Sequence, residues 1–150
     1  MTTKLSAHNL DAIAAKAAVP RYRRSDLTAG IVHFGVGNFH RAHQAVYLDD
    51  LFATGSDHDW ALVGAGVREA DEAMRQQLMA QDWLTTVVEQ EADSSRARVT
   101  GAMIDYLQPG QSAAVIEKLA DPAIRIVSLT ITEGGYYIDP ASQRFDPTHP

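Results

Sequence analysis

Two glycines stand where an apolar run gives way to a helical stretch. Residues 35–40 follow the apolar run 31–34, which is β-branched at its start, and precede a segment with helical periodicity. At such a junction backbone N–H groups and the helix dipole can face an anion, which is the position of a pyrophosphate-binding turn. Gly35 would allow a tight bend, and Gly37 would let the backbone approach a phosphate because it has no β-carbon.

His40 occupies the position where the usual dinucleotide-binding pattern has its third glycine. A side chain there predicts that helix and strand pack less closely than usual. The alternative is that the two glycines only form a tight structural turn, and the pattern alone leaves both interpretations open. If the turn binds a cofactor, the predicted binding residues are Phe34, Gly35, Val36, Gly37, Asn38, Phe39, His40 and Arg41.

Two of these residues could supply polar groups to a phosphate. At a helix start, His40 as a hydrogen-bond donor and Arg41 as a guanidinium would add to the helix dipole. For Arg41 the alternative is a surface ion pair with Asp49 or Asp50, or simple solvation.

A carboxylate follows the second apolar run, residues 60–67. There Glu69 could accept hydrogen bonds from ribose hydroxyls and repel a 2′-phosphate, which favours NAD over NADP. Its spacing from Gly35 exceeds the usual twenty or so residues, and neighbouring Arg68 could instead bind a phosphate. Glu69 could also be an acid favoured by the dipole at a helix start.

Three histidines raise the alternative of a metal site. His40 and His43 are three residues apart on one helical face, and imidazole is a common zinc ligand. His33, however, lies in a strand whose side chains alternate between faces, and no third ligand has a suitable spacing. We therefore predict no metal site.

Composition narrows the class of protein. The chain has 150 residues, 45% hydrophobic and 21% charged, with a net charge of -6 and no cysteine. The acidic balance argues against a nucleic-acid partner, and the lack of cysteine excludes disulfides and thiolate chemistry. No apolar run reaches the length of a membrane span, so we predict no membrane partner and a cytoplasmic location.

The elements that would hold these residues alternate in type. We predict strands at 31–34, 60–67 and 124–131, a hairpin from 85–89 and 98–104, and helices following residue 37, at 69–80 and after Ser112 as a cap. Three parallel strands are half of a doubly wound fold. The predicted fold is α/β, a Rossmann-like, mostly parallel, incomplete sheet with an inserted antiparallel hairpin.

Residues 1–29 are predicted to form a helix and linker, and residues 1–150 the amino-terminal part of a nucleotide-binding domain. The apolar strand 124–131 at an unfinished sheet edge needs a neighbour. We therefore expect the protein to continue past Pro150.

Three blocks carry a resemblance to a known family: GIVHFGVGNFHRAHQ at 30–44, GAGVREAD at 64–71 and IVSLTITEGGYY at 126–137. Together they resemble the mannitol dehydrogenase and fructuronate reductase family of polyol-specific long-chain dehydrogenases, in which a histidine at the third glycine position is normal. The blocks occur in the family's order and spacing, and the match runs from about Pro20 onward.

This resemblance implies an NAD-dependent, metal-free oxidoreductase that moves a hydride between nicotinamide and C2 of an open-chain polyol or sugar acid. It maps Glu133 to a catalytic carboxylate in a gate or proton path. The principal lysine, with its asparagine and histidine helpers, would lie in a later helical domain that the chain would need for activity. Mannitol or a close polyol is the expected substrate. The alternatives are a fructuronate reductase and a non-catalytic nucleotide-binding module.

Overall fold

The computed structural model describes residues 2–131, 133–139 and 141–148, with the backbone alone for 133 and 134. Its helices and strands are, in chain order, α1 (Leu10–Ile13), β1 (Ala29–Phe34), α2 (Asn38–Ala42), α3 (Gln44–Phe52), β2 (Ala61–Ala65), α4 (Asp71–Met79), β3 (Thr85–Gln90), β4 (Ser95–Thr100), β5 (Met103–Tyr106), α5 (Ser112–Leu119) and β6 (Ile126–Leu129). Short 3-10 turns at Ala7–Asn9, Arg24–Asp26, His58–Trp60 and Glu133–Tyr136 complete the described elements.

The main sheet has four parallel strands in the order β5-β2-β1-β6, and β3 and β4 form a separate antiparallel pair. The central strand β1 thus has β2 on one side and β6 on the other, which is the point where the winding of such folds reverses direction. The predicted α/β fold with a parallel sheet and an antiparallel hairpin is confirmed.

The two faces of β1 contribute to different cores. Ile31 packs with Phe52 of α3 and Leu78 of α4, whereas Val32 packs with Val63 on the opposite face, toward α5. Burial on both faces explains why β1 and β2 are nearly continuous apolar runs. These cores fix the carboxyl ends of the two strands, where the glycine turn begins.

The predicted strand at 98–104 is wrong, because two strands occupy that segment. β4 ends at Thr100, and β5 begins at Met103 and pairs in parallel with β2. Between them the Gly101 N–H donates to the buried carboxylate of Asp49, and a β-carbon at Gly101 would collide with the side chain of Arg24. The described sheet therefore has four parallel strands where three were predicted.

Helix starts also differ from the prediction. The helical stretch after Gly37 is broken at His43, whose φ of -125° and ψ of -76° separate α2 from α3. Ser112 is the first residue of α5 instead of its cap, a position taken by Gln111. The amino-terminal helix is a single turn with no buried residue. The turn at Gly35 consequently leads into a helix of five residues.

β6 is apolar, as predicted, but shorter and more exposed than β1. It covers four residues, and Val127 and Leu129 are 47% and 62% exposed. Within the described ranges, no helix has both the length and the apolar character to cross a membrane.

Candidate functional site

A bend at Gly35 ends β1. Gly35 has a φ of 84°, in the left-handed region that favours glycine, and its N–H donates to the Ala65 carbonyl at 3.2 Å. The Gly37 N–H donates back to the Gly35 carbonyl at 2.7 Å. The backbone geometry therefore requires the first glycine.

At Gly37, by contrast, the backbone conformation does not require glycine. Its φ of -94° and ψ of -169° suit any residue, and a β-carbon there would meet only the Gly35 carbonyl, at 3.9 Å. Every other glycine whose surroundings the structure describes has either a positive φ or a neighbour that a β-carbon would strike. Neither conformation nor packing explains the glycine at 37, so the open space beside it is available to a ligand.

The first amides after this space belong to α2. Asn38, Phe39 and His40 come before the first helical acceptor, so their N–H groups have no partner four residues back in the helix. Arg41 folds over the turn: its Nε donates to the Gly37 carbonyl at 3.3 Å and its NH2 to the Asn38 side-chain oxygen at 2.7 Å. The first helical amides and a guanidinium thus lie next to residue 37, a combination suited to an anion.

The alternative ion pair of Arg41 is not formed in the described structure. Asp49 and Asp50 instead accept hydrogen bonds from Arg98 of the hairpin, at 2.8 and 2.6 Å. Arg41 instead makes its hydrogen bonds with Gly37 and Asn38 of the turn.

Two stacked imidazoles lie beneath the turn. His33 and His40 are 4% and 1% exposed, with ring centroids 3.9 Å apart and planes 13° from parallel. His33 Nδ1 and Nε2 lie 2.8 and 3.0 Å from the hydroxyls of Ser128 and Thr130. Neither ring nitrogen of His40 has a hydrogen-bond partner among the described residues. The ring of His40 in α2 therefore packs inward on the ring of His33 in β1.

Burial makes both rings hard to protonate. Desolvation, the charge that His33 can carry and nearby Arg41 lower the pKa of His40 to about 3. Burial also lowers the pKa of His33, opposed by a hydrogen bond with the backbone of Gly35. Both imidazoles are therefore neutral at pH 7.

The remaining predicted turn residues divide between core and surface. Phe34 packs on the Val32 side of the sheet, and Val36 is buried in the core that contains Ile31. Phe39 is 67% exposed, with its ring centroid 4.7 Å from that of His43. Among the residues whose placement is described, no three potential metal ligands come together.

A cavity of about 530 Å³ opens on the β6 side of the turn, at the carboxyl ends of β1 and β6. The described residues that line it carry no charged side chain and are His33, Phe39, His40, Gln44, Ser128, Leu129, Thr130, Ile131 and Tyr136. The carboxyl edge of a parallel sheet is where such folds bind ligands. The sequence did not identify Gln44 and Ser128, because their contribution depends on the pairing of β1 with β6.

The end of β2 holds two carboxylates. Glu69 is exposed in the turn before α4, whereas Asp71 lies directly against Gly66 and accepts the Arg68 N–H at 3.0 Å. The side chain of Arg68 is 80% exposed. Asp71 is therefore a second candidate for a ribose contact, and its position two residues after Glu69 was the available signal in the sequence.

The remaining predicted residue follows β6. Glu133 begins the 3-10 turn Glu133–Tyr136, past the carboxyl end of that strand. Its side chain lies outside the described residues, so its role stays a prediction.

Comparison with known proteins gives consistent matches. Residues 29–150 match the family model described as the mannitol dehydrogenase Rossmann domain. The chain is 64% identical over 132 residues to the mannitol 2-dehydrogenase of Cereibacter sphaeroides, covering 87% of this chain and 28% of that protein. It is 48% identical over 153 residues to the mannitol 2-dehydrogenase of Aspergillus niger, covering 98% and 31%.

Solved structures give the same result. The mannitol 2-dehydrogenase of Pseudomonas fluorescens, solved as a ternary complex with NAD and D-mannitol, superposes with a TM-score of 0.86 and 45% identity. That match covers 99% of this chain and 30% of the other. A substrate-free D-sorbitol dehydrogenase gives a TM-score of 0.78 with 40% identity over 97% of this chain and 30% of its own. The chain thus spans less than a third of the length of these relatives.

Proposed function

We propose that this chain, which belongs to the mannitol dehydrogenase family, forms the NAD-binding part of an oxidoreductase that interconverts a polyol and its ketose. NAD would accept the hydride when the polyol is oxidised. Mannitol and fructose are the proposed pair, because the relatives are named mannitol 2-dehydrogenase and one was solved with D-mannitol.

The open space beside Gly37 carries the proposal. A pyrophosphate is a dianion that needs close N–H donors, and a side chain at residue 37 would stand in its way. The guanidinium of Arg41 lies against the Gly37 carbonyl, and the amides of Asn38 and Phe39 follow residue 37 at the start of α2. A purely structural turn would have no need of glycine at a residue with an ordinary φ and no close neighbour.

The proposed reaction also needs residues that transfer a proton. We place the proton-transfer lysine, with its asparagine and histidine helpers, in a helical domain following residue 150. Glu133 is proposed as a carboxylate of the proton path, because its backbone follows the carboxyl end of β6. Strand ends on this edge are where the reacting parts of bound ligands meet the protein.

The central test is Gly37→Val in the 150-residue chain, with NADH binding followed by nicotinamide fluorescence. We expect affinity to fall at least about tenfold, because the valine side chain fills the phosphate site. The free energy of unfolding should change by less than about 1 kcal/mol, because the backbone conformation suits any residue.

Gly55→Ala is the matched control, because Gly55 has a φ of 87° and lies just after α3, away from the turn. It should lower stability by about 1 kcal/mol through backbone strain and leave NADH affinity unchanged. If Gly37→Val lowers only the melting temperature, the turn is structural. No saturable binding by the unmodified chain would remove cofactor binding from it.

The preference for NADH over NADPH tests the two carboxylates that follow β2, Glu69 and Asp71. Glu69→Ala, or Asp71→Asn with its shape retained, should raise affinity for NADPH relative to NADH by about tenfold, because one negative charge near the 2′-phosphate is lost. Comparing the two variants identifies the residue that contacts the ribose. An unchanged NADPH to NADH ratio in both would place the discriminating contact elsewhere.

A further inference from the structure

The helix into which the turn leads, α2, is short and buries a single side chain. α2 has five residues, too few for a helix to be stable without tertiary contacts. Of these five residues, His40 alone is buried. The placement of α2, and with it the first amides after the turn, therefore depends on what His40 packs against.

His40 packs against the ring of His33. Their centroid separation of 3.9 Å and near-parallel planes give a broad contact between two uncharged rings. In the part of the chain that the structure describes, neither nitrogen of His40 has a hydrogen-bond partner, so ring packing is the contact that positions it. The position of α2 is thus transmitted through the orientation of His33.

The orientation of His33 is set from β6. His33 pairs in register with Ser128, and Thr130 is two residues further along, on the same face of the sheet. A neutral imidazole has one donor and one acceptor nitrogen, and a hydroxyl can complement either one. Both nitrogens of His33 are satisfied by these two hydroxyls, at 2.8 and 3.0 Å, which fixes the rotation of the ring.

We propose that His33 and His40 are positioning residues that hold the glycine turn and α2 in fixed register with the carboxyl end of β6. Thr130 also faces the bend directly, since a β-carbon at Gly35 would lie 3.5 Å from it. The inference rests on the proposed function, in which the turn holds the phosphates of NAD, and it assigns neither histidine a direct contact with the cofactor.

Four variants of the 150-residue chain test the pair. His33→Phe keeps the ring but removes its bonds to β6, and His40→Ala removes the stack, so each should weaken NADH binding by about tenfold. His40→Phe keeps the stack and should recover most of the affinity that His40→Ala loses. The double variant His33→Phe/His40→Ala should be no weaker than either single change, because the two residues act in series.

Leu78→Ala is the control for a general loss of stability. Leu78 is fully buried in the same core cluster as Ile31 but lies in α4, and its truncation should destabilise the fold without changing NADH affinity. Unchanged affinity in His33→Phe, or a hundredfold additive loss in the double variant, overturns the proposal. An affinity of His40→Phe as low as that of His40→Ala does so too, since the role would then belong to the ring nitrogens and not to the stack.

A second readout separates this proposal from cofactor binding itself. In amide NMR spectra without ligand, the Gly35 and Gly37 resonances should move in His33→Phe and His40→Ala and stay in place in His40→Phe and Leu78→Ala. If the chain binds no NADH yet these resonances respond as expected, the proposed function fails and the positioning role stands. If the resonances stay in place in all four variants, the positioning role fails.

Discussion

At the scale of single residues, the two imidazoles beneath the turn make stability depend on pH. His40 has its pKa lowered to about 3 in the folded chain, and that of His33 is also lowered, whereas an unfolded histidine titrates near 6.5. Arg41 is the charged side chain that adds to the effect, and the other neighbours, Ser128 and Thr130, are uncharged hydroxyls. The folded state therefore binds fewer protons than the unfolded state between these pH values.

The free energy of unfolding should consequently fall as the pH drops from about 6.5 toward 3. Each ring contributes a loss of up to about 1.4 kcal/mol per pH unit within its window, and above pH 6.5 the contribution is fully retained. Urea unfolding at pH 7, 6 and 5 measures this slope. His40→Phe, which cannot be protonated, should show a shallower slope, and equal slopes would contradict the expectation.

The turn also shows what single residues reveal in a sequence. Gly35 and Gly37 could be identified because a strand-to-helix junction is a place where the backbone needs the freedom and the small size of glycine. The inward orientation of His40 could not be predicted from the sequence. It depends on His33 and on two hydroxyls of the β6 segment, more than eighty residues away. Tertiary contacts of this kind leave no local pattern.

At the scale of elements, one buried carboxylate joins the hairpin to the sheet. Asp49 of α3 is 4% exposed and accepts hydrogen bonds from Tyr22, from the Gly101 N–H and from Arg98 of β4. Burial and the hydrogen bond to Asp49 raise the pKa of the Tyr22 hydroxyl, and bonds to Asp50 and Asp49 raise that of Arg98. Arg98 of the antiparallel pair thus binds two carboxylates of α3, of which only Asp49 is buried.

Asp49→Asn should therefore destabilise the fold by about 3 kcal/mol, because it removes a charge that three donors share in a buried position. Asp50→Asn is the matched control: Asp50 also binds Arg98, but its side chain is 59% exposed, and the cost should stay below about 1 kcal/mol. Chemical denaturation of both variants measures the difference. Equal costs would show that burial of Asp49 does not strengthen the contact.

The same region explains where element prediction failed. Residues 98–104 alternate and are β-branched in part, so the sequence predicts a single strand. The change of direction comes from Gly101, where the N–H is bound by Asp49 and packing against Arg24 leaves no room for a side chain. Period and propensity predicted strand at 98–100 and 103–104 but did not contain the break, which comes from a long-range contact.

At the scale of the whole molecule, the sheet is covered unevenly. β1 and β2 are buried on both faces, whereas β6 pairs with β1 on one side and leaves its apolar residues largely exposed. Ile126, Val127, Leu129 and Ile131 are between 43% and 62% exposed. An apolar strand with a free edge is a template for pairing with another chain.

The chain by itself should therefore self-associate as its concentration rises, because joining two such edges buries apolar surface and pairs backbone groups. Leu129→Lys places a charge on β6 and should shift sedimentation velocity profiles toward the monomer. Tyr47→Lys introduces the same charge on α3, at a residue that is 70% exposed, and should leave association unchanged. A monomer at every concentration, melting cooperatively, would show that the β6 edge is already protected in solution.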